Sequence, residues 1–314
     1  MIDITLKNFE ADLINDSMRQ PILLDIWAPW CGPCRTLGPL LEKLETAYAG
    51  RFKLAKLNSD DQPDIAGQLS QAFGVRSIPF CVLFDQGQPV DGFVGAQGEA
   101  QVREFLDKHV PSAEEAEAEA EVEEAEELAA EGDTDAALGK LQQAVAIDPA
   151  NDAARNDYVK LLLETGRVTQ ARSAFEPVAA KAALEPRIAA LGHWLAACEV
   201  APKARSIEAL GAAIAANKRD FDARFELAQS HFAAARFTAA MDELLEIVMR
   251  DKAWSNELAR KNYVAILELM SKPAPKAAAA EAKKGTLELT GKAAAAPSDP
   301  VIDQYRRKLS MALF

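Results

Sequence analysis

No apolar run in this 314-residue sequence reaches the ~18 residues that a membrane-spanning helix needs, so no transmembrane segment is expected. The opening Met1-Ile2-Asp3-Ile4-Thr5 has neither a basic n-region nor an apolar h-region and does not read as a secretory signal. Cysteine is scarce. Of the four present, two share one short motif, which argues against a disulfide-stapled scaffold and for a reducing compartment, so a cytoplasmic location is expected. A dense basic stripe is also missing, which excludes the electrostatic footprint of a nucleic-acid binder. Neither nucleic acid nor a membrane is an expected partner.

What the chain does have is unevenly spread. The net charge is −13, and residues 111–135 alone hold 12 acidic side chains and no basic one. Residues 1–110 are mildly acidic and residues 136–314 mildly basic. The length makes two domains the natural prior. Residues 1–110 alternate between strand patterns (22–27, 52–57, 80–84, 90–94) and helical ones (35–48, 64–73, 99–110), with Gln86-Gly87 as a hairpin turn. This order predicts a mixed sheet between helices. Residues 111–127 form an Ala/Glu-rich acidic connecting segment, expected to be a helix leading into the second domain.

Residues 128–271 read as purely helical and repetitive. Glu131-Gly132-Asp133 is followed by Ala136, Ala137 and Leu141. Thr165-Gly166-Arg167, 34 residues on, precedes Ala171 and Phe175, and Ala235-Arg236-Phe237 precedes Ala239, Ala240 and Leu244. A 34-residue period with small residues at the turns matches tetratricopeptide repeats, which stack helix pairs into a solenoid with a concave face. The stretch 186–217 fits the pattern poorly. Residues 272–298 are low-complexity and read as a linker, which at about 30 residues spans roughly 30 Å. Residues 299–314 read as a short amphipathic helix with Ile302, Tyr305, Leu309 and Leu313 on one face and Arg306 on the other side.

The chemistry sits at Trp30-Cys31-Gly32-Pro33-Cys34, between a strand and a helix. There the helix dipole and unpaired N–H groups favour a thiolate at Cys31, which suits it as nucleophile, with Cys34 as resolving thiol. Trp30, Gly32 and Pro33 shape the turn. Asp25 interrupts an apolar strand; burial would raise its pKa and suit it to deprotonating Cys34, with a satisfied buried acid as the competing reading. A cis bond at Pro79 would bring the backbone of Ile78 near the sulfurs. A zinc site would need two further ligands, and Cys81, Cys198, His109, His193 and His231 offer no second pair. Cys81 and Cys198 read as packed small apolar residues. No metal and no cofactor is expected.

Asp25 to Cys34, with Lys56-Leu57-Asn58, Ile78-Pro79 and Val94-Gly95-Ala96, resembles thioredoxin across residues 1–110. The whole layout, ending in Tyr305-Arg306-Arg307-Lys308-Leu309, is similar to the bacterial chaperedoxins. The resemblance implies an α/β thioredoxin fold followed by an all-α tetratricopeptide-repeat solenoid. It implies a thiol–disulfide oxidoreductase that is also a holdase, one that binds unfolded or oxidised client proteins and passes them to a GroEL-type chaperonin and the DnaK system. Recycling by thioredoxin reductase or glutathione fits that reading. The terminal helix, through Ile302, Tyr305, Arg306, Leu309 and Leu313, would be the chaperonin-docking element, or else a cap on the last repeat. Two departures stand out. Asn58-Ser59 offers no second-site cysteine, and Phe80 replaces the usual Thr after the proline, which is expected to alter client choice. A plain disulfide reductase with a scaffold attached, or a non-catalytic adaptor, are the competing functions.

Overall fold

The computed structural model describes residues 1–271 and 299–313. The expected linker, 272–298, lies outside the described residues, as does Phe314. The described chain falls into two compact units, which divide at residues 116 and 117.

The first unit is a five-stranded sheet in the order β1-β3-β2-β4-β5, with β1 at Ile2–Asp3, β2 at Ile22–Trp27, β3 at Lys53–Asn58, β4 at Phe80–Asp85 and β5 at Gln88–Val94. β3 runs parallel to β1 and β2, while β4 is antiparallel to β2 and β5. β2 is central and covered on both faces, which is why it reads as a continuous apolar run. Ile22, Leu24 and Ile26 face Ile65, Ala66 and Leu69 of α2 (Pro63–Phe73). Leu23 faces Leu37, Leu41 and Leu44 of α1 (Gly32–Ala47) and Val102 and Leu106 of α3 (Glu99–His109). Strand alternation therefore sends Asp25 to the α1 side of the sheet.

The hairpin at Gln86 and Gly87 is present, and both residues adopt the left-handed φ that its tight turn requires. The first helix starts three residues earlier than the apolar spacing predicts, because Cys31 caps it and Pro33 is tolerated in its first turn. Gly92 of β5 is held by close approach. A Cβ there would lie 2.6 Å from the Cys81 carbonyl oxygen and 3.3 Å from the Phe80 ring. Gly92→Ala is expected to cost about 1–3 kcal/mol of domain stability through overpacking, read from the urea midpoint.

The second unit is helical. α4 (Ala113–Glu131) carries the acidic run and places Ala118 and Ala125 against α5 (Thr134–Ile147) and α6 (Asp152–Glu164). Gly132 turns the chain from α4 into α5 and Gly166 turns it out of α6, both with left-handed φ, and the Asp133 and Asn151 side chains cap α5 and α6. α7 (Val168–Phe175) continues as a 3₁₀ segment, Glu176–Ala183. Then come α8 (Pro186–Val200), α9 (Ile207–Ala216), α10 (Phe221–Ala233), α11 (Phe237–Arg250), α12 (Trp254–Met270) and α13 (Pro300–Leu313).

Stacking of successive pairs changes at α8. α8 packs on α10, α10 on α11, α11 on α12, and α12 returns to α8, so these four close into a ring. Arg187 of α8 fastens the closure by donating to the carbonyls of Glu268 (2.7 Å) and Ser271 (3.1 Å). Trp194 stacks on Phe232 and meets the edge of Phe237 inside it. In this part of the array, α12 packs on α8 as well as on its neighbour α11. The poorly matched stretch 186–217 is where the departure begins.

Candidate redox site

β2 delivers the chain to the end of the central strand, and α1 begins a few residues later. Cys31 is the N-cap of α1, and its Sγ accepts from the Cys34 N–H at 3.2 Å. The two sulfurs form a disulfide, with Cα atoms 5.3 Å apart. Both cysteines are almost buried, packed with Ala28, Trp27 and Ile78. The Ile78–Pro79 bond is cis, and Ile78 packs against the sulfur cluster. Trp30 is 68 % exposed, and its indole N–H donates to the Asp60 carboxylate at 3.0 Å. Gly32 and Pro33 form the first turn of α1 and are exposed.

When the disulfide opens, Cys31 occupies the position where the positive end of α1 most favours a thiolate. A helix N-terminus, an exposed aromatic neighbour and a buried partner sulfur together make a centre for thiol–disulfide exchange.

Asp25 lies on β2 facing α1 and is 2 % exposed. Its pKa is raised to about 6, chiefly by burial, with the positive charge of Lys56 and a hydrogen bond from Cys81 acting in the opposite direction. Lys56 is opposite Asp25 in the parallel register, and its Nζ pairs with Glu42 of α1. Cys81 is opposite Asp25 in the antiparallel register, with its Sγ 3.8 Å from Oδ1. Sequence reasoning treats Cys81 only as packing, because its partner becomes visible only once the register of β2 against β4 is known. Lys56, quoted only as part of the resemblance, gains its electrostatic role in the same way.

Phe80 corrects an expectation. Its side chain is buried and packs edge-on against Phe73, with centroids 5.5 Å apart, so its bulk goes into the core rather than toward a bound client. Cys198 is buried as expected, its thiol 3.7 Å from the Ala233 carbonyl and pushed up to about 11 by burial.

The five terminal residues singled out from sequence all lie on α13, in the helical unit. Ile302, Tyr305 and Leu309 are buried in its core, and Leu313 packs against that core. Tyr305 donates to Asp242 at 3.1 Å, and its backbone carbonyl accepts from the Tyr263 hydroxyl at 2.8 Å. Arg306 donates to Ser271 Oγ at 3.0 Å, and the Leu313 carbonyl accepts from Lys252 at 2.6 Å. In this structure α13 is a cap on α11 and α12. Among the described residues no helix is long and apolar enough to cross a membrane.

The thioredoxin family profile matches residues 1–108, and two tetratricopeptide-repeat profiles match residues 128–195 and 200–284. Similar proteins include thioredoxin 1 of Nostoc sp. strain PCC 7120, 37 % identical over 107 residues, which cover 34 % of this chain and 94 % of that one. The thioredoxin of Haemophilus influenzae is 41 % identical over 110 residues, covering 35 % and 97 %. The thioredoxin of Chlorobaculum thiosulfatiphilum is 40 % identical over 108 residues, covering 34 % and 94 %. Through residues 1–108, with the Cys31–Cys34 disulfide in the active-site position and a tetratricopeptide-repeat region later in the sequence, the chain belongs to the thioredoxin family and is a thiol–disulfide oxidoreductase.

Proposed function

We propose that this protein is a redox-active holdase: it binds unfolding proteins, acts on their cysteines through Cys31 and Cys34, and hands them to a GroEL-type chaperonin and the DnaK system. The observation that carries the reading is the fusion of a complete thioredoxin domain to a tetratricopeptide-repeat unit in one chain. Repeat arrays present extended binding surface, which a reductase alone does not need. The helical unit also keeps large apolar side chains at its surface, among them Leu184, Val200, Ile207 and Met249. The likeness to chaperedoxins in layout and terminal helix supports the same conclusion, and a cytoplasmic site of action goes with it.

In the redox cycle, the Cys31 thiolate attacks a client disulfide and forms a mixed disulfide, and one client sulfur leaves as thiolate and takes up a proton. Asp25 then accepts the Cys34 proton, and Cys34 attacks Cys31 Sγ. The mixed disulfide breaks, the second client thiol is released, and the Cys31–Cys34 disulfide forms. Thioredoxin reductase or glutathione restores the dithiol. The cis Ile78–Pro79 backbone flanks the incoming client.

Docking to the chaperonin is assigned to α13. Its apolar residues Ile302, Tyr305 and Leu309 are engaged by α11 and α12, so docking through them requires release of the helix. The side that remains open carries Arg307 and Met311.

The test is suppression of aggregation of a chemically denatured client, with and without oxidant. The wild type and the Cys31→Ser/Cys34→Ser double variant are both expected to suppress it, while only the wild type reduces insulin. Chaperonin co-purification is expected to vanish when residues 299–314 are removed. A second reading, a dedicated disulfide reductase, draws on the near-complete coverage of free-standing thioredoxins by residues 1–108. Rapid insulin reduction with no suppression of aggregation would establish it and overturn the holdase.

A further inference from the structure

We propose that Cys81 is a positioning residue for the redox reaction: its thiol, held opposite Asp25 by the β2–β4 register, donates to the Asp25 carboxylate and keeps it available as a base.

The geometry is specific. Asp25 and Cys81 are direct partners across the antiparallel pair, on the side of the sheet that α1 covers. Cys81 is fully buried, and Asp25 is 2 % exposed. Among the described residues, the Cys81 S–H is the one donor within hydrogen-bond distance of the Asp25 carboxyl, at 3.8 Å. Burial at this depth favours the neutral acid, and a neutral acid cannot take a proton from Cys34.

Two other charged groups face Asp25. Lys56, from β3, favours the carboxylate, but its ammonium lies 2.5 Å from Glu42 Oε1, and Glu42, from α1, disfavours the carboxylate. The cation is thus shared but remains the larger of the two influences favouring the carboxylate, and an internal donor adds to it. Cys81 can be that donor because it stays protonated. Burial and the adjacent carboxylate both push its thiol well above the usual range. It is therefore a donor and not a third redox sulfur. A hydrogen bond to a carboxylate is stronger than one to the neutral acid, so the contact selects the ionised state.

The proposal rests on the reading of Asp25 as base, and its test separates the two. The full-length protein, in its disulfide form, is titrated by carbon NMR of the Asp25 carboxyl in the wild type and in Cys81→Val, Cys81→Ala and Cys81→Ser. Val and Ala, which lack the donor, are expected to raise the midpoint by about half a unit, leaving roughly threefold less carboxylate on the acid side. Ser, which keeps a donor, is expected to hold the midpoint at or below the wild-type value. Single-turnover insulin reduction should follow with its acid limb displaced alike and its plateau at high pH unchanged. Ala covers the case in which Val overpacks the site. If the midpoint stays put in Val and Ala, or moves equally in Ser, Cys81 is packing only and the proposal falls. If the NMR midpoint moves while the rate profile does not, the donor role stands and the assignment of Asp25 as base falls.

Discussion

Cys31→Ser is expected to reduce insulin turnover to the uncatalysed background, whereas Cys34→Ser is expected to retain the first attack and accumulate a client joined to Cys31. The asymmetry follows from position. Cys31 is the helix N-cap, where the unpaired N–H groups and the positive end of α1 stabilise a thiolate. Cys34 lies inside the first turn of α1, and its N–H donates to Cys31 Sγ. On the proposed reading, Cys31 begins the exchange as the thiolate and Cys34 ends it. Non-reducing electrophoresis after alkylation would distinguish the two. Covalent client adducts on Cys34→Ser that vanish in Cys31→Ser are the expected result. Adducts of equal yield in both variants would contradict the assignment.

Asp25→Asn is expected to stabilise the thioredoxin domain above pH 7 by about 3 kcal/mol relative to its effect below pH 4. In the unfolded chain the carboxyl titrates near 3.8; in the fold it titrates at about 6. Between these values the native state holds more protons than the unfolded one, so stability falls as pH rises through this window. The gap of about two units corresponds to about 3 kcal/mol lost by the wild type once Asp25 is ionised. Asn does not titrate and avoids that loss. Comparing two pH values cancels pH-independent costs of the amide, such as altered bonding to Cys81. Urea unfolding of both proteins from pH 3 to 8 gives the answer. Parallel stability curves would show that Asp25 is not the strained acid its burial indicates. The same variant is expected to slow resolution of the mixed disulfide, an exchange of stability for activity.

Much of the thioredoxin unit is legible without coordinates because its signals are local. The run Ile22–Trp27 is apolar on both faces because it is the central strand, and its single charge, Asp25, stands out for that reason. Cys31 and Cys34 at the start of a helix need only the spacing and the helix pattern. The first helix residues at 32–34 are missed because glycine and proline read as turn, although both fit an N-terminal turn capped by Cys31. The repeat period at Gly132 and Gly166 is equally local, since each glycine sits at a left-handed turn between helices.

Sequence alone therefore determined the two-part organisation, the strand-to-helix placement of the redox pair and the anomaly of Asp25, because periodicity, turn chemistry and burial of a charge are properties of short stretches. Tertiary structure decided the rest. It placed Cys81 and Lys56 beside Asp25 through strand register, turned Phe80 into the core, closed α8, α10, α11 and α12 into a ring, and set α13 down as a cap on α11 and α12. Each of these depends on which distant residues meet, and hydrophobic pattern specifies that a face must be buried but not what will cover it.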